Sequence, residues 1–306
     1  MTPAFVCPKH KLLLAPSYFC AACERAFPAV GGVPVLLNDD NSVFRIADYL
    51  QAESAYGGAS VYDGNLDKRT GLRQLYRRFM HRLIEADMPL RDFDVHDAVK
   101  RILKDKPQAQ ILVIGAGDTS LAGDVTYTDV AFGRNVACIA DAHDLPFESL
   151  AFDACIANAV LEHVADPQRC VAEIIRVLRP GGFVFAETPF MQPVHMGAHD
   201  FTRFTHLGHR RLFRCFDELQ SGMCGGPGIS AGQLLRYGLA SISERPGLKK
   251  WLKLIGMVAT YPFRWLDYLS FSNPSAYDSA SGFYFFGTLR PEPIPDRELL
   301  RFYRGG

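Results

Sequence analysis

The middle of the chain alternates short apolar runs with amphipathic stretches. Ile111-Leu-Val-Ile114 places four branched or long apolar residues in a row, the pattern of a strand buried on both faces. Val125–Thr128, Val136–Ile139, Phe152–Ala157 and Phe183–Ala186 repeat that pattern. Between the last two, the helix predicted over Pro167–Leu178 carries Val171, Ile174, Ile175 and Leu178 on one face, and Arg179-Pro-Gly-Gly182 stops it. Strands separated by helices or short crossovers imply a parallel sheet. Leu219–Met223 and Gly282–Thr288 add two strands, with helices expected between them over Ile229–Ile242 and Leu248–Phe271, the second kinked at Pro262. Before the sheet, Leu12–Leu14 and Tyr18–Phe19 read as short hairpin strands. Helices are expected over Ser42–Tyr56, Leu72–Ala86 and Phe93–Lys104, with loop over Gly57–Gly71 and a polar tail over Pro291–Gly306.

Polar residues stand where these strands end: Asp118, Asp129, Asp141, Asn158 and Glu187. Ligands of open parallel sheets bind at the carboxyl ends of the strands. The first strand runs into Gly115-Ala116-Gly117, and glycines there let backbone N–H groups approach a ligand closely. A carboxylate at the end of the second strand can accept both hydroxyls of a ribose, which suits Asp129. One at the end of the third can accept the exocyclic amine of adenine, which suits Asp141. The backbone from Gly115 to Thr119 would face the rest of such a cofactor.

Composition narrows the class. The chain has 306 residues, 48% of them hydrophobic, enough for one large domain with additions or for two domains. Lys+Arg and Asp+Glu are equal at 33 each, which disfavours a dedicated nucleic-acid binder. No stretch reads as long and apolar enough to span a bilayer, and the N-terminus lacks the pattern of a signal peptide. Three cysteines cluster near the start, while Cys138, Cys155, Cys170, Cys215 and Cys224 sit singly in apolar or helical patterns. This usage fits a reducing cytoplasm with one metal site.

That site is Cys7-Pro-Lys-His10 with Cys20-Ala-Ala-Cys23. Each pair can hold one ion from a tight turn, and two pairs complete a tetrahedron. Three thiolates and an imidazole suit a structural Zn²⁺ with no position left open. Residues 1–40 are then a unit whose stability depends on the ion. Together with Phe27-Pro-Ala-Val-Gly-Gly-Val-Pro-Val-Leu-Leu37, residues 5–37 resemble a small zinc-ribbon family found as activator partners of methyltransferases and fused to them. His10 replaces a cysteine of that family. The resemblance implies a docking or stabilising module.

A second resemblance covers about residues 109–216. Asp141-Ala-His-Asp-Leu-Pro-Phe147, Phe152-Asp-Ala, Asn158-Ala-Val-Leu-Glu-His-Val164 and Val177-Leu-Arg-Pro-Gly-Gly182 resemble, in order and spacing, a class I S-adenosylmethionine-dependent methyltransferase of the type 11-like group. The resemblance implies an α/β, Rossmann-like seven-stranded sheet with the last strand antiparallel. It implies a donor site at Gly115, Ala116, Gly117, Asp118 and Thr119, with Asp129 and Val130 at the ribose and Asp141 and Ala142 at the adenine. It also places Asn158 and His163 beside donor and acceptor. Val113 stands where the family has an acid, Thr119 replaces its third glycine, and the short run from Gly117 to Asp129 leaves room for only about a turn of helix. A nicotinamide dehydrogenase, the rival for a glycine turn followed by an acid, ranks lower, because it gives the downstream runs no role.

The loop Pro189–His206 would overhang the donor. His195, His199 and Asp200 are the base candidates, suited to taking a proton from a hydroxyl or amine, and Arg203 could hold an anion. An Asp200–Arg203 pair that merely orders the loop is the alternative. The stretch resembles a run found in methyltransferases among glycan and cell-envelope genes. Residues 248–271 carry Trp251, Trp265 and several apolar residues among Lys249, Lys250, Lys253 and Arg264, which suits either a membrane surface and lipid-linked acceptor or a buried or homodimer face. Arg69, Arg73, Arg77, Arg78 and Arg82 read as a solvated basic face or an anion contact. The expected organisation is a zinc ribbon at 1–40, a helical connector at 41–108, and a methyltransferase domain at 109–306 with a helical insert at about 228–272. The expected activity is methyl transfer from S-adenosylmethionine to a small-molecule, glycan or envelope-type acceptor. An RNA methyltransferase guided by the ribbon and a non-catalytic scaffold are the alternatives.

Overall fold

The computed structural model describes residues 4–50, 92–117, 119–133 and 135–306. The helix expected over Leu72–Ala86, the loop Gly57–Gly71, the five clustered arginines and Asp118 lie outside these residues. Elements are numbered here over the described residues.

The chain begins with short strands, β1 (Phe19–Cys20) paired antiparallel to β2 (Arg25–Ala26), and β3 (Ala29–Val30) paired antiparallel to β4 (Val33–Leu36). Bridges from Val6 to Leu13 and from Ala15 to Phe19 complete the N-terminal unit. A short helix, α1 (Ile46–Leu50), follows. The next, α2 (Val95–Asp105), starts at a capping box in which Asp94 accepts from the Asp97 N–H and Asp97 accepts in return. It buries Val95, Ala98, Val99 and Ile102, the inward positions of two turns.

The sheet proper follows: β5 (Gln110–Ile114), β6 (Asp124–Asp129), β7 (Val136–Ala140), β8 (Phe152–Asn158), β9 (Leu178–Pro189), β10 (Phe216–Gly225) and β11 (Gly282–Leu289). Ile111 to Ile114 are all buried, as a run apolar on both faces requires. Between β8 and β9, α3 (Pro167–Val177) starts with Pro at its first position and Asp166 accepting from the Arg169 N–H. It turns Cys170, Val171, Ile174 and Val177 onto the sheet. Extended backbone from Leu178 ends it, and Gly182 lies so close to the Arg179 and Asp153 carbonyls that a Cβ would meet them at 2.8 and 3.1 Å.

Strand order is β10-β11-β9-β8-β5-β6-β7-β4-β3. The seven strands of the expected sheet are present, parallel except for β11, which pairs antiparallel with both β9 and β10. One addition was not foreseen. β4 joins β7 in parallel, Val35 opposite Ile139 and Leu36 opposite Ala140, so the N-terminal unit extends the sheet.

Between β10 and β11 stands the expected helical insert: α5 (Pro227–Ala240) packed on α6 (Pro246–Thr260), then a 3₁₀ turn over Tyr261–Trp265 and α7 (Leu266–Ser270). The helix foreseen as one kinked rod is broken at Pro262. The short α4 (His206–Leu212) leads into β10. The C-terminal residues are not a free polar tail. They form α8 (Asp296–Leu299) and bury Ile294 and Leu299, and Arg304 bonds the Glu218 carboxylate at 2.6 Å and the Ser221 carbonyl at 2.9 Å. The apolar residues among the polar ones explain the docking.

Candidate functional site

β5 has β6 on one side and β8 on the other, and from it the chain winds outwards in both directions. This is the topological switch point, where a crevice opens at the carboxyl ends. Gly115 and Gly117 leave β5 there with φ of 68° and 51°, left-handed values that glycine adopts without cost. A Cβ on Gly115 would meet the Val160 Cγ2 at 2.4 Å, so the turn packs directly on the loop that follows β8. The first helix of the usual arrangement is absent among the described residues between Gly117 and β6.

Asp129 ends β6 and holds this turn. Its carboxylate accepts from the Gly117 N–H and the Ala131 N–H, each at 2.9 Å. Burial raises its pKa above the ordinary carboxylate value, against the pull of those N–H groups. Each oxygen keeps acceptor capacity beyond the bond it makes. Val130 lends its carbonyl to the Tyr49 hydroxyl at 2.6 Å. The Thr119 N–H bonds the Ala116 carbonyl at 2.9 Å, closing the glycine turn on itself.

Asp141 lies deeper and is more fully engaged than the sequence suggested. One oxygen accepts from the Ser42 hydroxyl at 2.6 Å. The other takes the His143 N–H at 3.0 Å and ring Nδ1 at 2.5 Å. His143 Nε2 in turn accepts from the Asp166 N–H, so its proton resides on Nδ1. Burial opposes the charge on Asp141, but the His143 contact overrides it and the pKa lies below the ordinary value. Any adenine amine approaching Asp141 would share an oxygen already in use. Ala142 is buried directly after it.

Ser42 belongs to a strap across the carboxyl edge. Asn38 and Asn41 donate to Asp144 at 2.9 and 3.2 Å, the Phe44 ring stacks on His199 with centroids 5.4 Å apart, and Tyr49 reaches Val130. The helix expected over Ser42–Tyr56 starts only at Ile46 among the described residues, because Ser42 and Phe44 are drawn into these contacts, and its part beyond Leu50 lies outside them.

The other side of the crevice is built by β8 and β9. Asn158 ends β8 level with Glu187 of β9, and its Oδ1 is buried without a hydrogen-bond partner. Ala159 then turns left-handed at φ 53°, a strained position for a residue with a side chain. Thr188 Oγ1 is also buried and unpartnered. Buried polar atoms in this state await a ligand or water.

Past that turn, Glu162 is 0% exposed with neither oxygen hydrogen-bonded. Its Oε1 lies 3.7 Å from His163 Nε2 and 3.7 Å from His195 Nε2. The two imidazoles meet edge to face, centroids 4.8 Å apart. His163 Nδ1 donates to the His199 carbonyl at 2.7 Å. The Glu162 carboxylate facing His195 holds its pKa above the ordinary imidazole value. Sequence reasoning passed over Glu162, although it directly precedes His163 in the Leu-Glu-His-Val run.

Of the three base candidates, the structure brings His195 alone against this cluster through its ring. His199 contributes its carbonyl, while its ring stacks on Phe44. Asp200 accepts both guanidinium nitrogens of Arg203, and Arg203 Nη2 donates to Asp200 at 2.6 Å. Asp200 also takes the His195 N–H at 2.7 Å. Burial opposes its charge, but Arg203 and that N–H hold its pKa below the ordinary value. The Asp200–Arg203 contact weighed as the alternative is thus present in the loop.

In the N-terminal unit, Cys7, His10, Cys20 and Cys23 bring their ligand atoms within 4.8 Å of one another. Cys7 Sγ is 3.6 Å from Cys23 Sγ, and His10 Nδ1 is 3.8, 3.9 and 3.3 Å from Cys7, Cys20 and Cys23. Zinc–sulfur bonds of ~2.3 Å would set tetrahedral edges of about 3.8 Å.

A family described as a methyltransferase domain matches residues 120–186. An uncharacterized methyltransferase of Mycolicibacterium vanbaalenii is 41% identical over 68 residues, 22% of this chain and 26% of that protein. A tRNA (carboxymethyluridine(34)-5-O)-methyltransferase of Xenopus tropicalis is 49% identical over 49 residues, 15% of this chain and 8% of that protein. The matched stretch thus spans about a quarter or less of these relatives. Among solved structures, a putative sarcosine dimethylglycine methyltransferase from Galdieria sulphuraria is 14% identical over 76% of this chain and 92% of that one, with a TM-score of 0.40. A Haloferax volcanii complex of the Trm112 methyltransferase activator and a putative methyltransferase is 18% identical over 74% of this chain and 100% of that one, also at 0.40. Residues 120–186 of this chain, which run from just past the glycine turn into β9, match a methyltransferase domain.

Proposed function

We propose that the protein transfers a methyl group from S-adenosylmethionine to a small-molecule, glycan or envelope-type acceptor. The observation that carries this reading is the methyltransferase-domain match over residues 120–186, which includes β6, β7, β8 and most of β9. The residues at the switch point fit such a donor: a glycine turn with no room for a Cβ at Gly115, a carboxylate at Asp129, and an unpartnered Asn158 Oδ1. When bound, the donor supplies an electrophilic methyl on a sulfonium. Asp129 holds the ribose, the Gly115–Thr119 backbone faces the rest of the donor, and Ala142 lines the adenine beside Asp141. Glu162, His163 and His195 engage the acceptor, and Asp200 with Arg203 keeps His195 in place. Isothermal titration with S-adenosylmethionine tests the donor site. Binding by the intact protein that weakens at least tenfold in Asp129→Ala supports the reading, and no binding by the intact protein sinks it. A labelled-methyl assay on fractionated metabolites and envelope material then identifies the acceptor.

The four-residue cluster of the N-terminal unit is proposed to hold one structural Zn²⁺, supported by its near-tetrahedral edges and closed ligand set.

A specific observation favours contact with a lipid surface. Along α6 and its continuation, Trp251, Ile255, Val258, Trp265 and Leu269 are each more than half exposed, with Lys249, Lys250 and Lys253 alongside. No described helix is long and apolar enough to cross a membrane, so the contact would be peripheral. Co-sedimentation with anionic vesicles, reduced in the paired Trp251→Ser and Trp265→Ser variant, is the expected result.

A further inference from the structure

We infer that Glu162, His163 and His195 form a binding site for a divalent first-row transition metal, separate from the cysteine cluster and on the acceptor side of the crevice. The inference deepens the proposed function and rests on it only for the ion's role.

The argument starts from Glu162. A carboxylate removed from water and left without partners is strongly disfavoured. Glu162 is fully buried, and among the described residues neither of its oxygens has a hydrogen-bond partner and no Lys or Arg is paired with it. The groups that face it are two imidazole Nε2 atoms, each 3.7 Å away, too far for a hydrogen bond. All three ligand atoms lie within 4.8 Å of one another. Bonds of ~2.1 Å to a central ion require ligand pairs about 3.0–3.4 Å apart. Small rotations of the Glu162 carboxylate and of His195, the most exposed of the three, would close the difference.

The surroundings prepare the ligands. His163 donates Nδ1–H to the His199 carbonyl at 2.7 Å, which leaves the Nε2 lone pair pointing at Glu162. Such a backbone partner fixes the tautomer and ring orientation of a metal-binding histidine. The two loops are pinned together, since the Phe201 and Thr202 N–H groups both donate to the Glu162 carbonyl, at 2.8 and 3.2 Å. His195 is tied through its own N–H to Asp200, which Arg203 fixes. Two imidazoles and one carboxylate, with no thiolate, suit Fe²⁺, Mn²⁺, Co²⁺ or Zn²⁺ and leave coordination positions open. An oxygen of the acceptor could fill one of them, and a hydroxyl bound there would ionise more readily. His195 then acts as a ligand and needs no role as a proton acceptor.

The test uses the full chain with its cysteine cluster first loaded with one equivalent of Zn²⁺, followed by titration with Co²⁺. The expected result is one further Co²⁺ per chain, with weak visible bands and no thiolate charge-transfer band. Glu162→Gln and His195→Ala should each weaken this binding by more than about tenfold. His195→Ala changes a half-exposed side chain, so it keeps the test sound should Glu162→Gln fail to fold. Wild-type protein that takes up no second ion overturns the inference, as does Co²⁺ uptake that is the same in both variants. S-adenosylmethionine titration on the same samples separates the two readings: donor binding without Co²⁺ binding removes the metal site alone.

Discussion

Gly115 concentrates two constraints in one residue. Its φ of 68° disfavours any side chain, and Val160 occupies the space a Cβ would need. Gly115→Ala should therefore lose about 1–3 kcal/mol of stability in urea denaturation. Adding Val160→Ala relieves the contact but not the backbone, so the double variant should recover only part of that loss. Asp141 offers a second case. Ser42→Ala takes away a 2.6 Å hydrogen bond to a buried carboxylate. It should cost about 1–3 kcal/mol by the same measurement, because a charged acceptor is left short of a donor. At this scale the sequence located the strand ends, since β5, β6 and β8 stop at Ile114, Asp129 and Asn158. It could not show that Asp141 spends one oxygen on Ser42, since that pairing spans 99 residues and depends on how the strap lies.

The element that tests stability against pH is α4. His206 and His209 point inward from it among Phe213, Tyr277 and Phe283. Burial lowers their pKa values to about 4 and about 3. Unfolded, both would titrate near the usual 6.5, so between pH 6.5 and about 4 the unfolded chain binds protons that the folded chain refuses. Stability must fall as pH drops through that window, by up to about 1.4 kcal/mol per pH unit for each histidine. Urea midpoints from pH 7 to pH 4.5 should follow this slope and flatten in a His206→Phe, His209→Phe double variant. The strands and α3 were legible in advance because their apolar spacing is strict. The contacts of residues 38–44 were not, because polar side chains reaching distant carboxylates leave no periodic trace.

At the scale of the molecule, the N-terminal unit brings its sulfur and nitrogen cluster together and is tied to the sheet by Lys11 bonding the Glu173 carboxylate at 2.8 Å and the Leu145 carbonyl at 3.2 Å, by Val6 donating to the Pro146 carbonyl at 3.0 Å, and by β4. Chelation of the proposed zinc should lower the thermal midpoint of the whole chain in calorimetry, not merely release a separate small transition, and Cys20→Ser should do the same. The resemblance of residues 5–37 to an activator family implied a docking or stabilising module and gave no strand pairing with the sheet. Two paired residues of β4 make it part of the sheet instead, and backbone pairing of that kind is invisible in a short Val-Pro-Val-Leu run.

The position of β4 has a consequence for solubility. Among the described residues only β3, two residues long, lies outside it, so the described sheet ends on that side in a short rim that offers little to a neighbouring molecule. Should the N-terminal unit come loose, Ile139 and Ala140 would present open backbone groups on an apolar strand. Such an edge is a template for pairing between molecules. Metal loss should thus register first as light scattering that rises with protein concentration.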